Sequence, residues 1–289
     1  MMSRGKRIAG VGVATVALVT AVGGAAHAAA PAALQGWQQT AAGTVLTATG
    51  GEGVSTLDNG TVRYVGLASI PLAQRLEGWT HIGDTDASHG YIFDSYQAEN
   101  GGSPKMFLAT TPSGASYEYT HTLASGEAYN NSFATVSPDG QWLVSGEWNT
   151  MTRLLVFPTP ILNTSTPATG GALNLASQIS LDHQVRNVQG CDFLTPTRLL
   201  CASDDPNTDL WPTSKPLLQV DLPAPLNGQP VTGHVTSLGQ LPLKSSCTGT
   251  FETEGIDYHA ADATLRVEVI DPQPCGTLTT AVYSFRPTS

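Results

Sequence analysis

Apolar residues along the chain recur in short runs separated by Gly, Pro, Asn and Asp, and almost none follow the period of a helix. Within the runs, apolar and polar positions often alternate, as in strands with one buried face. The pattern therefore predicts an all-β protein. The runs are Thr61–Leu67, Gly90–Tyr96, Lys105–Leu108, Tyr117–Leu123, Trp142–Ser145, Arg153–Phe157, Leu199–Ala202, Leu217–Leu222, Leu265–Ile270 and Leu278–Phe285.

Four stretches of the chain share one pattern: a small or polar start, a strand, a turn, and a strongly apolar strand. Aligned on Ile82, Ser132, Gln189 and Glu254, they are offset by 50, 57 and 65 residues. The first three copies are followed by two further short runs, which makes four strands per unit. A repeat of this size and content is typical of the blades of a β-propeller.

The repeat predicts a single β-propeller domain over residues 29–289. We expect five blades, with six as an alternative count and a β-sandwich as the alternative fold. The last copy has room for only three strands, which end at TTAVYSF. The N-terminal segment can supply the fourth strand and close the ring, and the first blade must then come from residues 34–79.

Residues 1–28 have the pattern of a signal peptide. Arg4, Lys6 and Arg7 precede an apolar run from Ile8 to Val22, and Ala26-His27-Ala28 fits the rule for cleavage. An uncleaved membrane anchor is the alternative, although the run is shorter than the roughly 20 residues that span a bilayer. The sequence predicts a secreted, extracellular protein, and the Ala-rich signal indicates a bacterial source.

The chain is acidic. Three of its 13 basic residues and none of its 23 acidic residues lie in 1–28, so the remainder has a formal net charge of −13. Such a surface disfavours nucleic acid and anionic membranes as partners. We expect an extracellular small molecule, a glycan or a protein as partner, no membrane-embedded segment, and a monomer.

All four cysteines lie beyond the signal segment, and an even number in an exported chain favours disulfides. Three pairings are possible, of which we favour Cys191–Cys201 and Cys247–Cys275. The first pair is symmetric about Pro196, so a hairpin turn there brings the two residues opposite each other.

The innermost strand of each blade borders the propeller axis, so polar residues on these strands are the candidate ligand-binding set. Oxygen-rich side chains from several strands suit Ca²⁺, for which Glu254, Asp257, Asp84 and Asp192 are the candidate ligands. The alternative is that these side chains only bond water or neighbouring backbone. The candidate channel residues are His81, Asp84, Asp86, Asn131, Gln189, Asp192, Glu254 and Asp257.

Two short segments resemble known propellers. Residues 136–144, VSPDGQWLV, resemble the WD40-like SPDG repeat of bacterial propellers, in which Asp-Gly supplies a positive-φ hairpin turn. Residues 254–257, EGID, resemble the EGI opening of blades in secreted lactonase-like and phytase-like propellers. The second resemblance implies Ca²⁺ held in the channel through Glu254.

Two functions follow as alternatives. The chain has no G-x-S-x-G elbow, no HExxH and no Gly-rich phosphate loop. This favours an extracellular binding or scaffold protein, stabilised by Ca²⁺. The alternative is a metal-dependent hydrolase of lactonase, esterase or glycosidase type that uses the His and carboxylates of the channel. Some of the five tryptophans could stack on sugar rings, although packing is their usual role.

Overall fold

The computed structural model describes residues 34–98 and 104–288. The predicted signal segment, residues 1–28, lies outside the described residues and stays a prediction. In the described part, every helix is too short or too polar to cross a bilayer.

The first strand, β1 (Trp37–Leu46), pairs with the last strand of the chain and not with the strands that directly follow it. Those strands form five groups, which we call blades I to V. Blade I comprises β2 (Gly53–Thr56) and β3 (Val62–Val65). Blade II comprises β4 (Trp79–Ser88), β5 (Tyr91–Ala98), β6 (Lys105–Thr110) and β7 (Ser116–His121).

Blades III to V each have four strands, and the last of them includes β1. Blade III comprises β8 (Thr135–Val136), β9 (Trp142–Ser145), β10 (Thr150–Pro158) and β12 (Ser177–Arg186), and the short β11 (Gly171–Ala172) pairs with β7. Blade IV comprises β13 (Val188–Thr195), β14 (Arg198–Ser203), β15 (Pro216–Asp221) and β16 (Val231–Gln240). Blade V comprises β17 (Glu252–His259), β18 (Thr264–Ile270), β19 (Thr279–Pro287) and β1.

The innermost strands form a closed ring. Each of β2, β4, β8, β13 and β17 contacts the inner strand of the next blade, and β17 returns to β2. The prediction of an all-β propeller with five blades is confirmed. A parallel pairing of β12 with β16 also joins the outer strands of blades III and IV.

The N-terminal strand closes the ring as predicted. β1 runs antiparallel to β19, from Trp37 opposite Pro287 to Leu46 opposite Thr279. The first and last parts of the chain therefore share one sheet. This pairing covers an edge of β19 that would otherwise be exposed.

Blade I, which was expected within residues 34–79, is reduced to a hairpin. Its strands are four residues long, and two short helices, α1 (Thr47–Gly50) and α2 (Leu72–Glu77), precede and follow the hairpin in the chain. Short 3₁₀ helices lie at Leu67–Ser69 and Cys275–Thr277. Gly78 caps the C-terminus of α2, and its φ of 99° is in the left-handed region that favours glycine.

The blades pack face to face, and the apolar core lies between them. In β14, Leu199 and Cys201 face blade III, whereas Leu200 and Ala202 face blade V. Both faces of this blade are covered, so the strand reads as a continuous apolar run rather than as an alternating one. The same two-sided burial accounts for Leu154 and Leu155 in β10.

The favoured cysteine pairing is confirmed. Cys191 and Cys201 lie opposite each other in the β13–β14 hairpin, with Cα atoms 4.0 Å apart. Cys247 and Cys275 join the segment before β17 to the loop before β19, with Cα atoms 6.0 Å apart. Two disulfides are compatible with an extracellular protein.

Candidate functional site

The candidate channel residues lie on the inner strands, or just before them, at three levels along the axis. His81, Asn131, Gln189 and Glu254 lie near the level where these strands begin. Asp84 lies at the middle of the axis. Asp86, Asp192 and Asp257 lie towards the turns that end the inner strands. The candidate residues are therefore spread along the inner strands and do not form one cluster.

The middle of the axis is filled by the carboxylate of Asp84, whose residue is 1 % exposed. Its Oδ1 accepts the N–H groups of Val54 and Thr85 at 3.0 Å each, and its Oδ2 accepts the N–H of Ile256 at 3.0 Å. One side chain therefore bonds the inner strands of blades I, II and V.

Glycines make this close approach possible. A Cβ on Gly190 would lie 2.2 Å from Oδ2 of Asp84, and one on Gly255 would lie 2.6 Å from its Oδ1. The backbone of Asp84 also pairs with the next blade, since its N–H bonds the carbonyl of Ser132 at 2.8 Å. The axis at this level is solid, and the carboxylates above and below it belong to separate sites.

Bulges in the inner strands determine which of their side chains face the axis. The register of β4 shifts between Ile82 and Thr85, and that of β17 shifts between Thr253 and Ile256. β13 has a similar shift beside Gln189. Each extra residue re-aims the side chains that follow it. Simple alternation along the sequence could not predict which carboxylates face the axis.

The turn end of the axis opens into a cavity of about 240 Å³, which we call the axial pocket. Its acidic wall includes three carboxylates of inner strands, Asp86, Asp192 and Asp257, one from each of three blades, and Asp58 from the turn of blade I also lines it. Phe193 and Tyr258 add aromatic wall.

Each of the three carboxylates is bonded to the next blade. Oδ2 of Asp86 accepts the N–H of Val136 at 2.6 Å, and Oδ2 of Asp192 accepts the N–H of Tyr258 at 2.6 Å. Oδ1 of Asp257 accepts the N–H of Thr56 at 2.8 Å. These bonds hold the carboxylates in fixed positions around the pocket.

Only one of these carboxylates is neutralised by a basic side chain of the described residues. Arg266 donates to Oδ2 of Asp257 at 2.8 Å. Asp86 and Asp192 are bonded by backbone N–H groups, and Thr135 adds a hydroxyl bond to Asp192 at 3.4 Å. Two carboxylates of the axial pocket thus have no cationic partner in the part of the chain that the structure describes.

The protonation of these groups reflects that imbalance. Burial raises the pKa of Asp86 to about 7, assisted by the charges of Asp257 and Asp58 and opposed by its N–H bonds. Burial, followed by the charges of Asp86 and Asp257, raises the pKa of Asp192 well above its usual range. Burial therefore disfavours the ionised form of both carboxyls, and Asp86 is about half protonated near pH 7.

A histidine that the candidate set did not include also lines the axial pocket. His259 ends β17, and its Nδ1 lies 2.9 Å from Oδ1 of Asp262. The carboxylate fixes the orientation of the imidazole ring. The alternating positions Gly255, Asp257 and His259 could have placed this side chain on the axial face of the strand.

A second acidic group lies at the strand-start end of the axis, around Glu254. Burial, followed by the charges of Glu52, Glu252, Asp204 and Glu268, raises the pKa of Glu254 well above its usual range. Glu268 is 0 % exposed, and neither of its carboxylate oxygens has a hydrogen-bond partner among the described residues. Burial and the charges of Asp84 and Glu52 raise the pKa of Glu268 in the same direction.

Calcium at Glu254 stays a prediction. The orphaned oxygens of Glu268 supply the oxygen chemistry that Ca²⁺ takes. However, no three His, Cys, Asp or Glu residues of segments 34–98 and 104–288 stand at positions that could hold a metal ion together. The described side chains therefore form no ready cage for a metal ion.

The remaining members of the candidate set lie outside the axial pocket. Asn131 is fully buried, and its amide donates to the carbonyls of Tyr96 and Met106 while Ser145 donates to its Oδ1. His81 lies 3.8 Å from Glu52 at the strand-start end. Gln189 is the half-exposed extra residue of the β13 bulge.

Comparisons with known proteins give similarity of overall arrangement only. No family model and no curated protein matches the sequence. A DUF4623 family protein from Bacteroides eggerthii is 10% identical, with a TM-score of 0.41, over 90% of this chain and 78% of its own. An arabinanase from Bacillus subtilis is 15% identical, with a TM-score of 0.39, over 87% of this chain and 94% of its own.

A third similar structure is a periplasmic gluconolactonase from Pseudomonas aeruginosa. It is 13% identical, with a TM-score of 0.32, over 82% of this chain and 81% of its own. At these identities the likeness assigns no family and no activity to this chain.

Proposed function

We propose that this protein is an extracellular binding protein that takes a small cation in the axial pocket. The observation that carries the proposal is that Asp86 and Asp192 line one cavity without a basic side chain among the described residues to neutralise them. A positive ligand would favour the ionised forms of the two carboxyls and neutralise the charge that they then carry.

Two sources of positive charge fit this chemistry. A hydrated Ca²⁺ ion would bond the carboxylates through its water ligands, and an organic amine would also use the aromatic walls at Phe193 and Tyr258. The cavity of about 240 Å³ is larger than a bare ion needs, which favours the amine or a hydrated ion. The calcium expected from the EGI-like segment at Glu254 is a separate proposal at the other end of the axis.

Thermal unfolding tests this function with CaCl₂, with EDTA, and with 1,4-diaminobutane as the amine probe. A ligand at about 100 times its Kd adds about 2.7 kcal/mol, which raises the Tm of a domain this size by roughly 5–10 °C. We expect this rise with at least one probe. The rise should vanish in the double variant Asp86→Asn/Asp192→Asn. It should persist in Asp221→Asn, which changes a carboxylate on β15, the third strand of blade IV.

Two results would contradict the proposal. One is an unchanged Tm with both probes at concentrations up to tens of millimolar. The other is a rise that the double variant retains, which would place the cation elsewhere, for example beside Glu254.

A hydrolase that uses the same pocket is the second candidate function. The pairing of His259 with Asp262 favours it, because the oriented imidazole lines the same cavity as Asp86, whose pKa is about 7, and the two groups could serve as base and acid.

A panel of lactones, esters and aryl glycosides, with and without EDTA, tests the hydrolase. Hydrolysis that is lost in His259→Gln and in Asp86→Asn would support it. Turnover that both variants retain would remove these residues from any catalytic role.

The likeness of residues 136–144 to WD40-like repeats and of residues 254–257 to lactonase-like blades remains a proposal about ancestry.

A further inference from the structure

A second cavity lies away from the axis, in the seam between blades II and III. Its volume is about 670 Å³, against about 240 Å³ for the axial pocket. The connection between β7 and β8 forms one wall with Ser125, Gly126 and Ala128, and strands β10 and β12 form the other. We call this cavity the seam groove.

The floor of the seam groove carries a row of bonded polar side chains. Arg153 donates from Nε and Nη2 to the carboxylate of Glu147, at 2.7 and 3.1 Å. Its Nη1 reaches Oε1 of Gln178 at 3.4 Å, and Nε2 of Gln178 donates to Oγ of Ser180 at 3.2 Å. The row presents donors and acceptors in turn.

The row has no net charge. The guanidinium of Arg153 and the carboxylate of Glu147 neutralise each other in a two-point pair. This separates the seam groove from the axial pocket, where carboxylates face the cavity without a cation. An anionic ligand would find Arg153 already engaged, and a cationic ligand would find Glu147 engaged in the same way.

Trp148 supplies an aromatic wall. It lines the groove and is half-buried, so part of its surface stays open to a ligand. An aromatic surface beside a row of uncharged polar contacts suits a ligand with apolar C–H faces and hydroxyl edges.

The wall formed by the blade II–III connection is fixed before any ligand arrives. The side chain of Glu127 is fully buried, with Lys105 Nζ at 2.9 Å and His121 Nε2 at 2.9 Å. Its Oε2 also accepts the N–H of Ala124 at 3.0 Å, and Glu147 accepts the N–H of Ala128 at 2.8 Å. A preformed wall lowers the entropic cost of binding, because this part of the site does not have to become ordered when a ligand binds.

We propose that the seam groove binds an uncharged, hydroxyl-rich chain, namely a short oligosaccharide. Trp148 stacks on a sugar ring, and the edge formed by Arg153, Gln178 and Ser180 bonds the hydroxyls. The site is independent of the cation proposed for the axial pocket. It gives an extracellular propeller a second, glycan-facing surface.

Calorimetry with cellotetraose, maltotetraose and xylotetraose tests this site. We expect at least one to bind the full protein with a Kd in the millimolar range or tighter. Trp148→Ala should weaken that binding about tenfold or more, since it removes the stacking surface. Trp148→Phe should retain most of the affinity, and Gln178→Ala should lose part of it.

Two controls separate the groove from folding and from the axial pocket. The melting temperature of each variant checks that the protein is folded, and saturation of the axial pocket with 1,4-diaminobutane should leave the affinity of the wild type for the same oligosaccharide unchanged. Failure of all three oligosaccharides to bind the wild type at about 10 mM would overturn the proposal. So would affinity that survives both Trp148→Ala and Gln178→Ala.

Discussion

Asp84 shows how one side chain determines whether a propeller has an open axis. Its two oxygens accept three backbone N–H groups from three blades, and the glycines at positions 190 and 255 leave just enough room for it. Because the carboxylate fills the middle of the axis, the acidic residues on either side of it act as separate groups. The side chain is therefore a structural centre rather than a ligand-binding group.

Replacing Asp84 with Ala should destabilise the fold by about 3–5 kcal/mol, since it leaves buried N–H groups without acceptors. Asp84→Asn keeps one acceptor oxygen and should cost less. Urea unfolding measures the cost of both substitutions. Asp221→Ala, on the third strand of blade IV, is the matched control. A cost for Asp84→Ala no larger than that of the control would contradict the central role of this carboxylate.

At the scale of elements, the sequence predicted what depends on local pattern and failed where the backbone departs from regularity. The four repeats that start near Ile82, Ser132, Gln189 and Glu254 predicted the blades. The symmetry of Cys191 and Cys201 about Pro196 predicted the first disulfide. The bulges of β4, β13 and β17 were not predictable, because an extra residue leaves no signature in apolar alternation.

The closing strand β1 gives a prediction at this scale. A chain that starts at Thr47 lacks β1 and exposes the edge of β19 along its whole length. We expect its Tm to fall by roughly 10 °C or more, the equivalent of several kcal/mol for a domain of this size. The reference is a chain that starts at Leu34, and equal Tm values for the two would show that β1 does not stabilise the ring.

At the scale of the whole molecule, buried acids dominate the dependence of stability on pH. Burial and the charge of Glu252 raise the pKa of Glu52 to about 8. The stability that Glu52 contributes is therefore lost as the pH rises from about 4.5 to about 8. Although burial opposes it, bonding to His121, Ala124 and Lys105 lowers the pKa of Glu127 to about 2, so its contribution is lost as the pH falls below about 4.5.

The free energy of unfolding should therefore be greatest near about pH 5 and decline towards pH 8. Glu52→Gln should flatten the alkaline side of this profile, whereas Asp139→Asn, in the exposed turn between β8 and β9, should leave it unchanged. Urea unfolding at each pH measures the profile. A stability that rises steadily from pH 5 to pH 8 would contradict this assignment of buried acids.

The most direct test of the account is a carboxyl ¹³C NMR titration of Asp86 and Asp192 in the intact protein. Without ligand, Asp86 should titrate with a pKa of about 7, and Asp192 should titrate well above its usual range. Saturating CaCl₂ or 1,4-diaminobutane should lower both values, because a cation in the axial pocket favours the ionised carboxylates. Ordinary values for both carboxyls without ligand, or values that neither cation moves, would contradict it.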